Sequence, residues 1–121
     1  MTAREQTKLF NLIGEKYAFN EFRAAWNCGG RAIVARLQDK VHSWDNCGLN
    51  MLIPHTITQG LAGYAYCCPD MLGGGGESSI GRGKNLDSEL FIRWAQATSL
   101  MGMMQISYGF WRYFDKDTVK I

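Results

Sequence analysis

The chain has 121 residues, 46% of them hydrophobic and 20% charged, so it holds one domain at most and can bury a core, which excludes a disordered protein. The formal net charge is only +2, and basic residues are scattered among acidic ones, which argues against a nucleic-acid partner. No apolar run reaches the length of a transmembrane helix, so no membrane segment is expected.

The first predicted elements are one helix and two strands. Thr2 is suited to cap an amphipathic helix over residues 3–16, where apolar residues recur at helical spacing. Residues 19–26 predict a first strand. A turn signal at residues 27–30 separates it from a second, mostly apolar strand over residues 32–38.

A helix and a third strand follow. Asp45 or Asn46 is suited to cap a helix over residues 49–61, whose apolar residues fall on one face. Pro54 lies inside this helix and divides it into two short pieces. Residues 64–68 predict the third strand.

The last third of the chain begins with a long loop, residues 71–84, that contains four consecutive glycines at 73–76. Asp87 or Ser88 then caps a strongly amphipathic helix. Residues 103–107 predict a fourth strand.

Strands separated by helices favour parallel pairing with right-handed crossovers, and apolar strands fit an α/β sheet that is covered on both faces. Polar residues stand late in the strands or just after them: Arg23, Asp39, Asp70, Gln105 and Ser107. A (β/α)₈ barrel keeps its catalytic residues at the carboxyl ends of its strands, and a complete barrel takes about 250 residues. We therefore expect residues 1–121 to be a partial (β/α)₈ catalytic domain, its last four strands, with the upstream half missing.

The glycine run favours a loop at the mouth of a site over a nucleotide site. A phosphate loop that ends at Gly83-Lys84 needs glycine at 78 and Ser or Thr at 85, where the chain has Ser78 and Asn85. A dinucleotide fingerprint needs the glycines to open a helix, whereas eleven residues separate Gly76 from Ser88.

The remaining reactive side chains form no recognisable site. The chain has four cysteines without a Cys-x-x-Cys pair, and its two histidines, His42 and His55, have no partner at metal-ligand spacing. A Ser-His-Asp triad is unsupported, since Ser43 beside His42 lies in a loop without the glycines of a nucleophile elbow. We expect buried, reduced thiols and neither a metal nor a cofactor.

The segment around Asp39 resembles the acid/base segment of glycoside hydrolase family 31. Residues 38–44 place a tryptophan five positions after the aspartate, and Arg31 and Arg23 stand eight and sixteen residues before it, as the family's arginines do. The family's next blocks also follow in order, a G-x-x-G … D-x-x-G strand and loop and then a helix, at residues 60–64, 68–74 and 88–94. The resemblance extends from about Phe19 to Ser107.

This resemblance implies a retaining α-glycosidase that acts on α-glucosides or α-galactosides. Asp39 takes the place of the general acid/base, Arg23 that of the arginine at the sugar-binding subsite, and Asp70 that of the acidic residue beside the site. The expected partners are a carbohydrate substrate and the missing N-terminal half of the barrel. Retaining hydrolysis needs a second carboxylate about 5–5.5 Å from the acid. The family carries that nucleophile on the preceding strand, so we expect the isolated chain to be inactive.

Three departures from the family pattern bear on the substrate. Gln38 and Lys40 replace the usual glycine and asparagine on either side of the acid, and Ser107 stands where many α-glucosidases have histidine. These features resemble the branch that includes the myogenesis-regulating glycosidase. The alternative is a non-catalytic, carbohydrate-binding or structural remnant of the same fold, and nucleotide binding through the glycine loop is a more distant one.

Overall fold

The structure is a computed structural model that describes residues 1–75, 86–107 and 109–120. Its elements, in chain order, are α1 (Ala3–Gly14), β1 (Val34–Arg36), a 3₁₀ turn (Leu49–Met51), α2 (Leu52–Leu61), β2 (Tyr66–Cys68), α3 (Ser88–Ser99), a second 3₁₀ turn (Phe110–Arg112) and α4 (Lys116–Val119). Helices with a small parallel sheet agree with the predicted α/β class. Residues 76–84 of the predicted glycine loop lie outside the described residues.

The sheet is parallel. β1 and β2 pair with Val34 opposite Tyr66 and Arg36 opposite Cys68. An extended segment on each side joins through a single parallel bridge, Phe22 with Ala35 and Met71 with Gln105. The Phe22 amide donates to the Val34 carbonyl, and its carbonyl accepts from the Arg36 amide, both at 2.9 Å.

The predicted strands over residues 19–26 and 103–107 are wrong in extent, because each is reduced to one bridge. Each lies at an outer edge of the described sheet and pairs on one side only, so few ladder hydrogen bonds hold it extended. The direction of pairing was predicted correctly, and β1 and β2 lie within the predicted strands over residues 32–38 and 64–68.

The buried core joins residues just after β1 and β2 to the first residue of α2 and to α3. Its buried members are Leu37, Leu52, Leu72, Leu90, Phe91 and Trp94. Each such side chain stabilises the fold by about 1.5–3 kcal/mol relative to full exposure. No helix in the described part of the chain is both long and apolar enough to cross a membrane.

Helix α2 begins later than its predicted cap. Asp45 accepts hydrogen bonds from the Ser43 hydroxyl at 2.7 Å and the Cys47 amide at 2.8 Å, and thus closes the turn before the helix rather than capping it. Pro54 is the third residue of α2, where an amide has no partner within the helix, so it is tolerated and the helix does not break there. The predicted region does consist of two helical pieces, the 3₁₀ turn and α2, but they meet at Leu52 and not at Pro54.

The apolar stripes of α1 and α2 face outward. On α1, Phe10 and Ile13 are exposed, whereas Asn11 and Gly14 are buried. The polar side of α1 faces the rest of the fold, where the Asn11 side-chain amide donates to the Ala24 carbonyl at 3.2 Å. On α2 the exposed residues are Ile53, Ile57 and Leu61. The apolar faces of α1 and α2 are therefore exposed and are not covered by any other element in the described part of the chain.

Asp87 caps α3, as predicted. One carboxylate oxygen accepts from the Leu90 amide at 3.1 Å, and the other accepts from the Trp44 indole N–H at 2.7 Å. The Trp44 hydrogen bond, followed by that from Leu90, holds the pKa of Asp87 below its ordinary value. The cap thus also ties the segment after β1 to the start of α3.

The Asp87 cap should make stability depend on pH in acid. Because the folded pKa lies below the unfolded one, the carboxylate stabilises the fold above the unfolded value, and this stabilisation is lost as pH falls through the folded value. We expect Asp87→Ala to lower the free energy of unfolding of the intact protein at neutral pH, and this difference should shrink below the ordinary pKa of 3.8. Denaturant titrations at several pH values measure it. Asp117→Ala, at a side chain 96% exposed, is the control and should have little effect at any pH. A difference that stayed constant into acid would contradict the assignment.

Candidate active site

Asp39 follows β1 and is paired with a guanidinium from the neighbouring segment. The Arg23 Nη2 donates to Asp39 Oδ1, and the two side chains are 57% and 63% exposed. Arg36 Nη2 lies 3.9 Å from the same oxygen. Asp39 Oδ2 accepts no hydrogen bond from any residue that the structure describes, and the side chain as a whole is exposed.

Asp70 follows β2 and is bound to Arg36. Arg36 Nε and Nη2 donate to Asp70 Oδ1 at 2.8 and 2.5 Å, and the Lys40 amide donates to Oδ2 at 3.3 Å. The Asp70 side chain is completely buried and that of Arg36 is 11% exposed. Removing Arg36 would leave Asp70 as a buried charge without its ion-pair partner, which costs about 3–5 kcal/mol.

The backbone at Asp70 adopts a φ of 71°, in the left-handed region that few residues other than glycine occupy. Such strain persists where surrounding contacts hold it, and it concentrates at functional sites. The hydrogen bonds from Arg36 and Lys40 supply that hold. The position of the Asp70 carboxylate within this cluster is therefore fixed by its neighbours.

The cluster extends to the first and last segments of the sheet. Arg36 Nη1 lies 3.5 Å from Glu21 Oε1, and the Gln105 amide donates to Glu21 Oε2. Glu21 and Gln105 are on the two outer segments, which do not neighbour each other in the sheet. Their contact means that the sheet is curled, with these side chains meeting across its concave side.

Burial and neighbouring charges shift the pKa of several groups in and around the cluster. Burial opposes the charge on Arg36, but the hydrogen bond and charge of Asp70, with the charge of Glu21, outweigh it and raise its pKa. Lys40 is 2% exposed, and burial lowers its pKa despite the nearby charge of Asp70. Burial also raises the pKa of Cys68 to about 11, so this thiol is protonated and unreactive at neutral pH.

The other reactive side chains make structural contacts. His42 Nδ1 lies 2.7 Å from the Gly73 carbonyl and its Nε2 accepts from the Asp87 amide at 3.1 Å, whereas the Ser43 hydroxyl donates to Asp45. All four cysteines are free thiols; Cys28 and Cys68 are buried and Cys47 is exposed, so burial was predicted too broadly. In residues 1–75, 86–107 and 109–120, no three His, Cys, Asp or Glu side chains are grouped to hold a metal ion.

The three site residues predicted from the sequence lie in one cluster. Arg23 contacts Asp39 directly, and Arg36 lies between Asp39 and Asp70. Sequence reasoning missed Arg36 and Glu21. A signal was present for Arg36, since a cation inside a short apolar run needs a buried partner.

Comparison with curated proteins decides the relationship. The chain is 33% identical over 110 residues to myogenesis-regulating glycosidase from Mus musculus, a match that covers 87% of the chain. The chain is related to a glycosidase. It is also 31% identical over 103 residues, 84% of its length, to SITS-binding protein from Tetronarce californica. The predicted resemblance to the branch that includes myogenesis-regulating glycosidase is thus confirmed.

The chain covers only a small part of these relatives, 15% of the glycosidase and 14% of SITS-binding protein. No protein-family profile matches the chain. A stretch that covers 87% of 121 residues includes Arg23, Asp39 and Asp70 wherever it begins. The relationship therefore spans the whole charged cluster.

Proposed function

We propose that the chain is the C-terminal half of a (β/α)₈ barrel in a retaining α-glycosidase of family 31, with Asp39 as its general acid/base. The observation that carries this proposal is the similarity to a glycosidase across the segment that holds the charged cluster. Four parallel segments that neighbour each other in chain order support the barrel, because that is the order of strands in this fold. The intact protein would supply the upstream half.

The Asp39 side chain is exposed, so a substrate can reach it. Oδ1 pairs with Arg23, and Oδ2 would donate a proton to the departing glycosidic oxygen and later take one from water. The nucleophile, about 5–5.5 Å away in retaining enzymes, would come from the upstream half.

Arg23 and Asp70 would shape the sugar subsite in different ways. Arg23 is more than half exposed, so its remaining N–H groups are available to sugar hydroxyls. Asp70 has no exposed oxygen, so it would support the subsite only indirectly, by holding the neighbouring Arg36 in place.

The stereochemistry of the first product tests this proposal. We expect the intact protein to hydrolyse 4-nitrophenyl α-galactoside or α-glucoside and to release the α-anomer of the sugar first, as followed by proton NMR during the first turnovers. The matching β-glycosides are the controls and should not react. Initial release of the β-anomer from an α-glycoside would show inversion and refute the retaining mechanism.

A binding protein without hydrolytic activity is the second candidate, because one of the two relatives is named for binding SITS. The intact protein would then bind SITS or a sugar at equilibrium without releasing nitrophenol from any aryl glycoside. Calorimetric titration with SITS, beside the hydrolysis assay, separates the two candidates.

A further inference from the structure

We infer that Arg36 is a positioning residue that fixes the orientation of the Asp39 carboxylate during the reaction. This inference rests on the proposed function, because it assumes that Asp39 transfers the proton. Arg36 is on β1, three residues before Asp39, and its side chain is almost buried.

The guanidinium of Arg36 has a fixed orientation. Two of its nitrogens donate to one oxygen of Asp70, at 2.8 and 2.5 Å, and a third lies 3.5 Å from Glu21. Asp70 itself is buried, and its left-handed backbone is held by two neighbours. A buried cation with two buried or half-buried carboxylate partners has little freedom to turn.

Asp39, the third carboxylate near Arg36, differs from Asp70 and Glu21 in being mostly exposed. Its Oδ1 lies 3.9 Å from Arg36 Nη2, beyond a direct hydrogen bond but close enough for an attraction that solvent partly screens. The two inner pairs thus hold the cation, and the cation attracts one oxygen of the proposed acid/base.

Arg23 cannot supply this orientation throughout the reaction. It pairs with the same Oδ1, yet it is 57% exposed and is proposed to bind the sugar. Once Arg23 binds the proposed substrate, Arg36 would still lie near Oδ1 and keep that oxygen on its side. Small errors in the position of a catalytic group cost up to about 10²-fold in rate.

The test compares substrates with poor and good leaving groups in the intact protein. We expect Arg36→Met to lower kcat by up to about 10²-fold for alkyl glycosides, which need proton donation, and to lower it far less for 2,4-dinitrophenyl glycosides. KM should change less than kcat. Arg36→Lys keeps the charge but not the paired donation to Asp70, and should fall between Arg36→Met and the wild type.

Arg36→Met leaves Asp70 unpaired, so Arg36→Met with Asp70→Asn is the version designed to fold, because asparagine tolerates a positive φ. Arg93→Met, which breaks an exposed pair with Glu89, is the control and should change neither rate. Equal losses on both substrates in the Arg36 variants, while Asp39→Asn discriminates between them, would overturn this inference alone. If Asp39→Asn does not discriminate, the proposed function fails and the inference with it.

Discussion

Asp39→Asn in the intact protein should lower kcat/KM for glycosides with poor leaving groups by about 10²–10⁴-fold, the usual worth of a general acid. Asparagine keeps the size of the side chain but cannot donate the proton that the departing oxygen needs. Aryl glycosides with good leaving groups should still form the glycosyl-enzyme intermediate, since they require little proton donation. Steady-state rates on an alkyl and a dinitrophenyl substrate measure the contrast.

The second half-reaction provides an independent readout of the same variant. Asp39→Asn also lacks the base that deprotonates water, so the intermediate should accumulate on dinitrophenyl substrates. Added azide, which attacks without a general base, should restore part of the turnover. Asp45→Asn, an exposed carboxylate six residues later, is the matched control and should behave as the wild type on both substrates. An equal loss on both substrates, without an azide effect, would remove Asp39 from the acid/base role.

The isolated chain should self-associate and have no measurable glycosidase activity. Its sheet has two weakly paired edges, and the apolar stripes of α1 and α2 are exposed, which together favour association. Activity should be absent because the proposed nucleophile belongs to the upstream half. Sedimentation velocity at micromolar concentration measures the first expectation, and nitrophenol release measures the second.

A surface variant isolates the cause of the association. Phe10→Glu with Ile57→Lys places charges on the two exposed stripes and should shift the chain toward monomer. Ser99→Glu, an exposed polar position on α3, is the control for added charge and should not. A wild-type chain that sediments as a monomer and unfolds in one sharp transition would contradict the half-barrel proposal.

Local signals in the sequence were sufficient for two helices. α1 and α3 were predicted from a capping residue followed by apolar periodicity, and both caps, Thr2 and Asp87, are present. The outer strands were predicted too long because strand extent depends on neighbours, and the described part of the chain supplies none on the outer sides. The direction of the α1 stripe was not predictable either. A hydrophobic stripe shows that a helix needs a cover and does not show where the cover lies.

The charged cluster was predicted only in part for a similar reason. Arg23, Asp39 and Asp70 follow from the spacing of polar residues after apolar runs and from the family resemblance. Arg36 pairs with a carboxylate 34 residues away, and Glu21 is bound by Gln105 84 residues away. Such pairs depend on how the strands align and how far the sheet curls, and neither is specified by local sequence.

The contact between Gln105 and Glu21 joins the first and last segments of the sheet across the candidate site. This pair of side chains thus holds the two outer segments together beside Arg36. Under the proposed function, shortening either residue to enlarge the site would also remove this contact between the segments. Substrate range and the joining of the segments would then be coupled at this pair. A substitution meant to admit a different substrate would be better placed at Gln38, next to Asp39. Gln38 is exposed, and its side chain makes no hydrogen bond to any described residue.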